Sequence, residues 1–460
     1  MGASCSAPVV LPLQPQLPRE LQARIWELLP VDARVCLASM SRAWRAALAP
    51  PALWEALDLS VASGVRVRVT DAALRAASAR ARGTLRLLNL DGAADVSLRA
   101  VEDVARANAA TLFELRLAQR QLLEADELRA LLEAAPALRT LVAPAELSGD
   151  DVLPVLRGEP PFAPFVAAEC LDLQGEGDAQ RGLAVAQALL ASACAGRAQQ
   201  LLSLKLLCVD LAAPGALDAV LDALRACHVE RLTLVLCLVP HESTTPALVR
   251  LLSDVERCPS DMAMLKFSAV EWRPPVVAQL ADALRANTRL TKLALSGMGI
   301  LQRAAVFEPL LRALAGHASL QALDLTDTIE PVDRAAAGRA IASLVAANAP
   351  ALEALSIATC FLGPRALATI AAALPANTHL HTLQACCNGA NVAAAAAMAP
   401  AVRANTSLRS LLLTYTDEER AEQGLDDFGA AEDAVPALRA LEALVSARNQ
   451  ADGEGVPTAQ

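Results

Sequence analysis

A frame of leucine, two residues, leucine, one residue, leucine returns thirteen times along this chain, at intervals of about thirty residues. It is clearest at Leu290–Leu293–Leu295, Leu320–Leu323–Leu325, Leu352–Leu355–Ile357, Leu380–Leu383–Ala385 and Leu408–Leu411–Leu413, where the first leucines stand 30, 32, 28 and 28 residues apart. Earlier frames begin at Leu85, Leu112, Leu138, Ala168, Leu201, Val229 and Met262, and Trp54–Leu57–Leu59 opens the series. Alternation of apolar and variable residues makes each frame a short strand. The stretches between frames, such as Val277–Ala286, Ala335–Ala347, Pro364–Leu374 and Val392–Ala404, read as helices. A unit of one strand and one helix cannot bury its own apolar face, so only stacking on its neighbours completes a core. The expected fold is α/β: a solenoid with parallel strands inside and helices outside, curved into a horseshoe because its strand layer is the narrower one.

Several helices end in asparagine just before the next strand, at Asn287, Asn348, Asn377 and Asn405. Asparagine tolerates the left-handed conformation that closes a helix, which is the role expected of all four. The chain is 54% apolar but only 3% aromatic, a balance that suits small helices on narrow strands better than an aromatic-lined catalytic pocket. A formal net charge of −10 argues against nucleic acid as the general partner. The eleven cysteines form no CxxC pair and read as reduced thiols, which places the protein in the cytoplasm with the nucleus as the other option. Mean hydropathy is positive, yet no run of about twenty strongly apolar residues is found. The N-terminus lacks the basic start of a signal peptide.

The strand-bearing units resemble the leucine-rich repeat family, in its ribonuclease-inhibitor-like subclass, over residues 54–445. That resemblance implies an Asn or Cys three residues past the last strand apolar, tying the turn backbone together. Cys237, Cys360 and Asn388 fall there, while Val209, Met298, Thr328 and Thr416 depart from the pattern.

Residues 17–53 do not follow the repeat. Pro18 opens a helix with apolar residues at Leu21, Ile25, Leu28 and Leu29, and further helices are expected over Asp32–Met40 and Ser41–Leu48. Leu17-Pro18, Glu20-Leu21, Ile25-Trp26, Ser41-Arg42, Trp44-Arg45 and Leu53-Trp54 together resemble an F-box. Trp26 and Met40-Ser41-Arg42 are departures from it. The resemblance implies docking on a Skp-type adaptor and a cullin complex, through Leu17, Pro18, Leu21, Ile25, Trp26 and Leu29. It implies a substrate-recognition subunit of a Skp–cullin–F-box ubiquitin ligase, with ubiquitin transfer done by other subunits and a protein substrate held on the repeats. The alternative is a non-enzymatic scaffold or inhibitor, with the same helices serving only as a cap on the first repeat. Residues 1–16 and 446–460 are expected to be disordered tails.

On the concave face, Lys205, Arg231, Lys266 and Lys292 fall on four successive strands and suggest a basic ladder for an acidic segment. The three lysines of the chain are all in that set, and Asp172 and Asp324 on the same face are the residues that could balance it. Met1-Gly2-Ala3-Ser4-Cys5-Ser6 matches a myristoylation frame, so Gly2 and Cys5 are candidates for lipidation and a lipid-mediated membrane contact. His379, His381, Cys386 and Cys387 lack the spacing of a metal site, and no nucleophile–base pair or phosphate-binding loop is legible. No cofactor, metal or catalytic residue is expected.

Overall fold

In this computed structural model the residues described are 26, 29, 31–60, 69–118, 122–175, 177–237, 244–254, 258–265, 274–297, 301, 303–326, 331–414 and 433–453. The candidates Gly2, Cys5, Leu17, Pro18, Leu21, Ile25 and Lys266 lie outside them. Among the described residues no helix is long and apolar enough to cross a membrane.

Among the described residues strands and helices alternate as the leucine frames imply, giving an α/β solenoid of leucine-rich-repeat type with thirteen strands, whose sheet order follows their order in the chain. The chain divides into two compact units, Met1–Pro144 with Pro160–Val166, and Ala145–Glu159 with Ala167–Gln460. The first unit carries β1 (Ala56–Asp58), β2 (Leu87–Asn89), β3 (Glu114–Arg116) and the first half of β4 (Thr140–Ser148), paired in parallel in that order. The second carries most of β5 (Phe165–Gln174), then β6 (Gln200–Leu207), β7 (Arg231–Val235), β8 (Asp261–Leu265), β9 (Lys292–Ser296), β10 (Ala322–Asp324), β11 (Ala354–Ser356), β12 (Thr382–Gln384) and β13 (Ser410–Leu412). These too are paired in parallel, each with the next.

The frame explains the core. Second leucines stack in register across strands, as Leu323, Leu355, Leu383 and Leu411 do, and all four are buried. Each such side chain contributes about 2 kcal/mol of burial that a lone unit could not realise. Helices pack on their sequence neighbours: Leu98–Ala107 on Ala125–Ala134 in the first unit, and Arg334–Ala346 on Gly363–Ala373 in the second. Gly338 is what allows the latter pair to approach, since a Cβ there would lie 2.6 Å from the Ala366 Cβ.

One frame is out of register in the sequence reading. Met262 pairs with Leu293, which makes it the second apolar position of its unit rather than the first. Met264 pairs with Leu295 and is therefore the third. A methionine-rich strand with proline at its true first position, Pro259, hides the frame from a search for leucine.

The asparagines also act differently from expectation. Asn348 is left-handed, with φ 50, but Asn377 and Asn405 are extended, with φ −95 and −73. They work through their side chains instead. Asn377 Nδ2 donates to Val345 O of the preceding unit at 2.7 Å, while its Oδ1 accepts from Leu380 N at 2.7 Å. Asn405 does the same with Leu374 O and Leu408 N, and Asn287 with Leu252 O and Leu290 N. Each carboxamide thus joins the helix end of one unit to the strand start of the next.

The turn ties implied by the repeat resemblance are present. Cys237 and Cys360 donate to Leu206 O and Leu325 O, and Asn388 Nδ2 donates to Ile357 O, Ala385 O and Cys386 O. At the far end the helix Val435–Gly453 runs past the expected boundary at 445, so residues 446–453 are helix rather than tail. Arg448 donates to Val402 O and Asn405 O, and Glu442 Oε1 accepts from Leu413 N at 2.6 Å and Thr414 N at 2.8 Å. These contacts give the last unit the neighbour it would otherwise lack.

Candidate protein-binding surfaces

The first candidate surface is the helical segment before β1. Helices span Val31–Met40 and Arg42–Ala47, and a 3₁₀ turn spans Pro51–Trp54. Ser41 caps the second helix by accepting from Trp44 N, which explains the break between the two. Trp26 is helical and half-buried, and its ring meets Trp44 edge to face with centroids 5.0 Å apart. Leu29 is half-buried and its N–H donates to Trp26 O.

Arg34 organises this segment although nothing in its sequence context marks it out. Its guanidinium is buried and donates to Leu29 O at 2.8 Å and to Leu53 O, pinning the first helical turn and the 3₁₀ turn to the helix Val31–Met40. Leu48, Leu53 and Trp54 are buried, and Trp54 Nε1 donates to Leu48 O at 2.8 Å. The 3₁₀ turn packs on the helix Asp71–Ala81 of the first repeat, from which Arg80 lies over the Trp54 ring at 4.8 Å. Met40, by contrast, is 72% exposed.

The second candidate surface is the strand face. Here the expected basic ladder resolves into two rows. Lys205 pairs in register with Asp172 on one side and Thr233 on the other. Arg231 stands in a different row, Ser203–Arg231–Asp261–Lys292. An acid stands beside each cation: Lys205 Nζ lies 3.3 Å from Asp172, Arg231 Nε lies 3.1 Å from Asp261, and Lys292 follows Asp261 in register. The true frame of β8 puts Ala263, not Lys266, in register with Thr233 and Ala294. The misread frame at Met262 is the cause of the apparent four-cation run. Arg231, Asp261 and Lys292 alternate in sign, which is the pattern of a self-balanced face.

Thiols and imidazoles take structural positions. Burial pushes Cys237 up to about 12 and Cys227 and Cys258 up to about 11, the opposite of an activated nucleophile. His379 Nδ1 is 3.0 Å from Asn348 Oδ1. His317 fills the place that asparagine takes in other units: its Nδ1 accepts from Leu320 N at 3.1 Å. Its Nε2 is buried without a hydrogen-bond partner, and burial lowers the basicity of the ring, an effect the Leu284 backbone opposes in part. Among the described residues no group of three or more His, Cys, Asp or Glu gathers as a metal site.

No family model matches this chain, and no curated protein matches it. Among solved structures it is similar to a chain of the yeast Rad7 and Elc1 complex, at 13% identity and TM-score 0.40 over 90% of both chains. It is also similar to the tropomodulin C-terminal domain of Caenorhabditis elegans, at 12% identity and TM-score 0.25 over 46% of this chain and 96% of that one. Actin-binding site 2 of leiomodin-1 is a third, at 13% identity and TM-score 0.24 over 45% and 89%. At such distances none of those proteins' roles transfers to this chain.

Proposed function

We propose that this chain is the substrate-recognition subunit of a Skp–cullin–F-box ubiquitin ligase, non-catalytic itself and acting in the cytoplasm or nucleus. Its N-terminal helices would dock on a Skp-type adaptor and its repeats would hold a protein substrate. The observation that carries the reading is the seating of those helices. Arg34, Leu48, Leu53 and Trp54 fix the segment to the first repeat while Met40 stays in solvent. A tether held rigidly to a binding surface keeps its cargo at high effective concentration near a conjugating enzyme. The buried thiols of Cys227, Cys237 and Cys258 suit a reducing compartment.

A scaffold that binds its partner without ubiquitin chemistry is the second reading. It is favoured by the same Leu53 and Trp54, because burying them is also what a cap must do. A pull-down separates the two. Capture of a Skp-type adaptor by the wild-type chain and its loss on Ile25→Asp support the ligase reading. Absence of any adaptor from a correctly folded chain leaves the scaffold. Gly2 and Cys5 acylation is tested by mass spectrometry of the mature N-terminus.

A further inference from the structure

In the first unit a row of side chains just ahead of the strands carries a net positive charge, and among the described residues no carboxylate outside the row pairs with it. Glu55, Arg86, Phe113 and Arg139 stand side by side there. The backbone sets the alignment, with Arg86 N donating to Glu55 O, Phe113 N to Arg86 O and Arg139 N to Phe113 O. Both guanidiniums lie against the single ring between them, Arg86 at 5.9 Å and Arg139 at 4.9 Å from the Phe113 centroid. The Arg86 side chain is 63% exposed, and Arg139 is exposed as well.

Stacking on a ring occupies the flat face of a guanidinium and leaves its in-plane N–H donors turned outward. Among the described residues no carboxylate pairs with Arg139. Arg86 has Glu55 at 3.8 Å, beyond hydrogen-bond distance and at a solvent-accessible position, a contact that a better acceptor displaces. Glu114, next to Phe113 in the chain, has Arg116 at 3.7 Å, an arginine that also donates to Asp91 at 3.2 Å. Two strand steps separate Arg86 from Arg139, or about 10 Å. One turn of a polyproline II chain rises about 9 Å over three residues, and every third side chain returns to the same face.

We propose that Arg86, Phe113 and Arg139 form a docking site for an acidic peptide segment in the polyproline II conformation, carrying carboxylates three residues apart. The carboxylates meet the two guanidinium forks while the backbone between them crosses Phe113. The site does not depend on whether the N-terminal helices bind an adaptor.

The test uses the full chain and fluorescence anisotropy at low ionic strength, with a fluorescein-labelled Gly/Ser peptide of about twelve residues carrying glutamates at three-residue spacing. Binding is expected for this peptide and not for its Glu→Gln counterpart, and it should weaken as salt is added. Arg139→Gln should weaken it about tenfold, and adding Arg86→Gln should remove it. Phe113→Leu should weaken it too, because the ring that orients both forks is gone. The arginine variants decide the matter if Phe113→Leu perturbs the fold, since both arginines are on the surface. Unchanged affinity in Arg139→Gln overturns the proposal. So does tighter binding of a single-stranded oligodeoxynucleotide of equal charge, which would mark a phosphate surface instead.

Discussion

The first repeat and the later repeats are closed by different means. Ahead of β1, closure rests on one large ring: Trp54 is 0% exposed, bonds to Leu48 O and lies under Arg80. In the later repeats closure is a short polar tie that recurs, with Asn287, Asn377 and Asn405 each reaching back to the previous unit and forward to its own strand. A unit inside the stack has a neighbour on either side to share the cost of a lost tie. The first has no preceding repeat, so its seal is irregular and concentrated in few residues. Regularity marks what the fold needs many times over, and departures from it mark where the chain does something once.

The sharpest way to break this comparison is Trp54→Ala. It removes a fully buried ring and its hydrogen bond, and should destabilise by about 3–5 kcal/mol in urea unfolding. A loss below about 1 kcal/mol would show that the seal lies elsewhere. Asn377→Ala comes next, at about 1–3 kcal/mol, because the buried Leu380 N would lose its acceptor, while Val345 O would keep only its backbone donors. Asn348→Gly provides the contrast. Its bonds to Thr378 are exposed and glycine accepts φ 50, so the change should stay within about 1 kcal/mol. Equal losses at Asn377 and Asn348 would contradict the side-chain tie as the operative feature.

Much of the repeat architecture was legible because leucine spacing reports burial directly. Strand after strand falls where its frame predicts, and the helix Val392–Ala404 matches to the residue. The failures have a common origin. Met262 and Met264 stand at frame positions that a leucine search passes over, and a frame slipped by three residues assigned to Lys266 the row that the register gives to Ala263. Asn377 and Asn405 carry no sequence sign of whether backbone or side chain does the work, since that depends on where the preceding carbonyl falls. Arg34 looks like any helical arginine until the 3₁₀ turn brings Leu53 O to it. Phe113 did leave a trace: in a chain with 3% aromatics it shares a frame position with Arg86 and Arg139.

His317 offers a smaller and more selective test of the later repeats. It replaces the recurring asparagine, and its Nδ1 must stay unprotonated to accept from Leu320 N. Burial lowers its pKa below the ordinary 6.5, so the fold favours the neutral ring. The stability this contributes is complete above 6.5 and is lost as pH falls below that value toward the folded-state pKa. His317→Asn should restore the tie made by Asn287 and Asn377 without the titration. Unfolding followed at about pH 7.5 and about pH 5.5 should show a smaller decrease for the variant than for the wild type. Parallel decreases would mean that other groups set the acid limb.

The weakest expected effect separates the two cationic rows. Lys205 is held at 3.3 Å by Asp172, and its side chain is 40% exposed, so the pair is worth about 0.2–1 kcal/mol at most. Lys205→Gln should therefore change stability by no more than that. It should also leave capture of the acidic peptide unchanged, because a cation already facing its own acid has little attraction left to offer. Arg139 has no such acid among the described residues, and Arg139→Gln should show the reverse pattern, with near-wild-type stability and weakened capture. If Lys205→Gln weakens capture as much as Arg139→Gln does, then Asp172 yields its partner on binding, and the balanced row rather than the unpaired one is the surface that the partner reads.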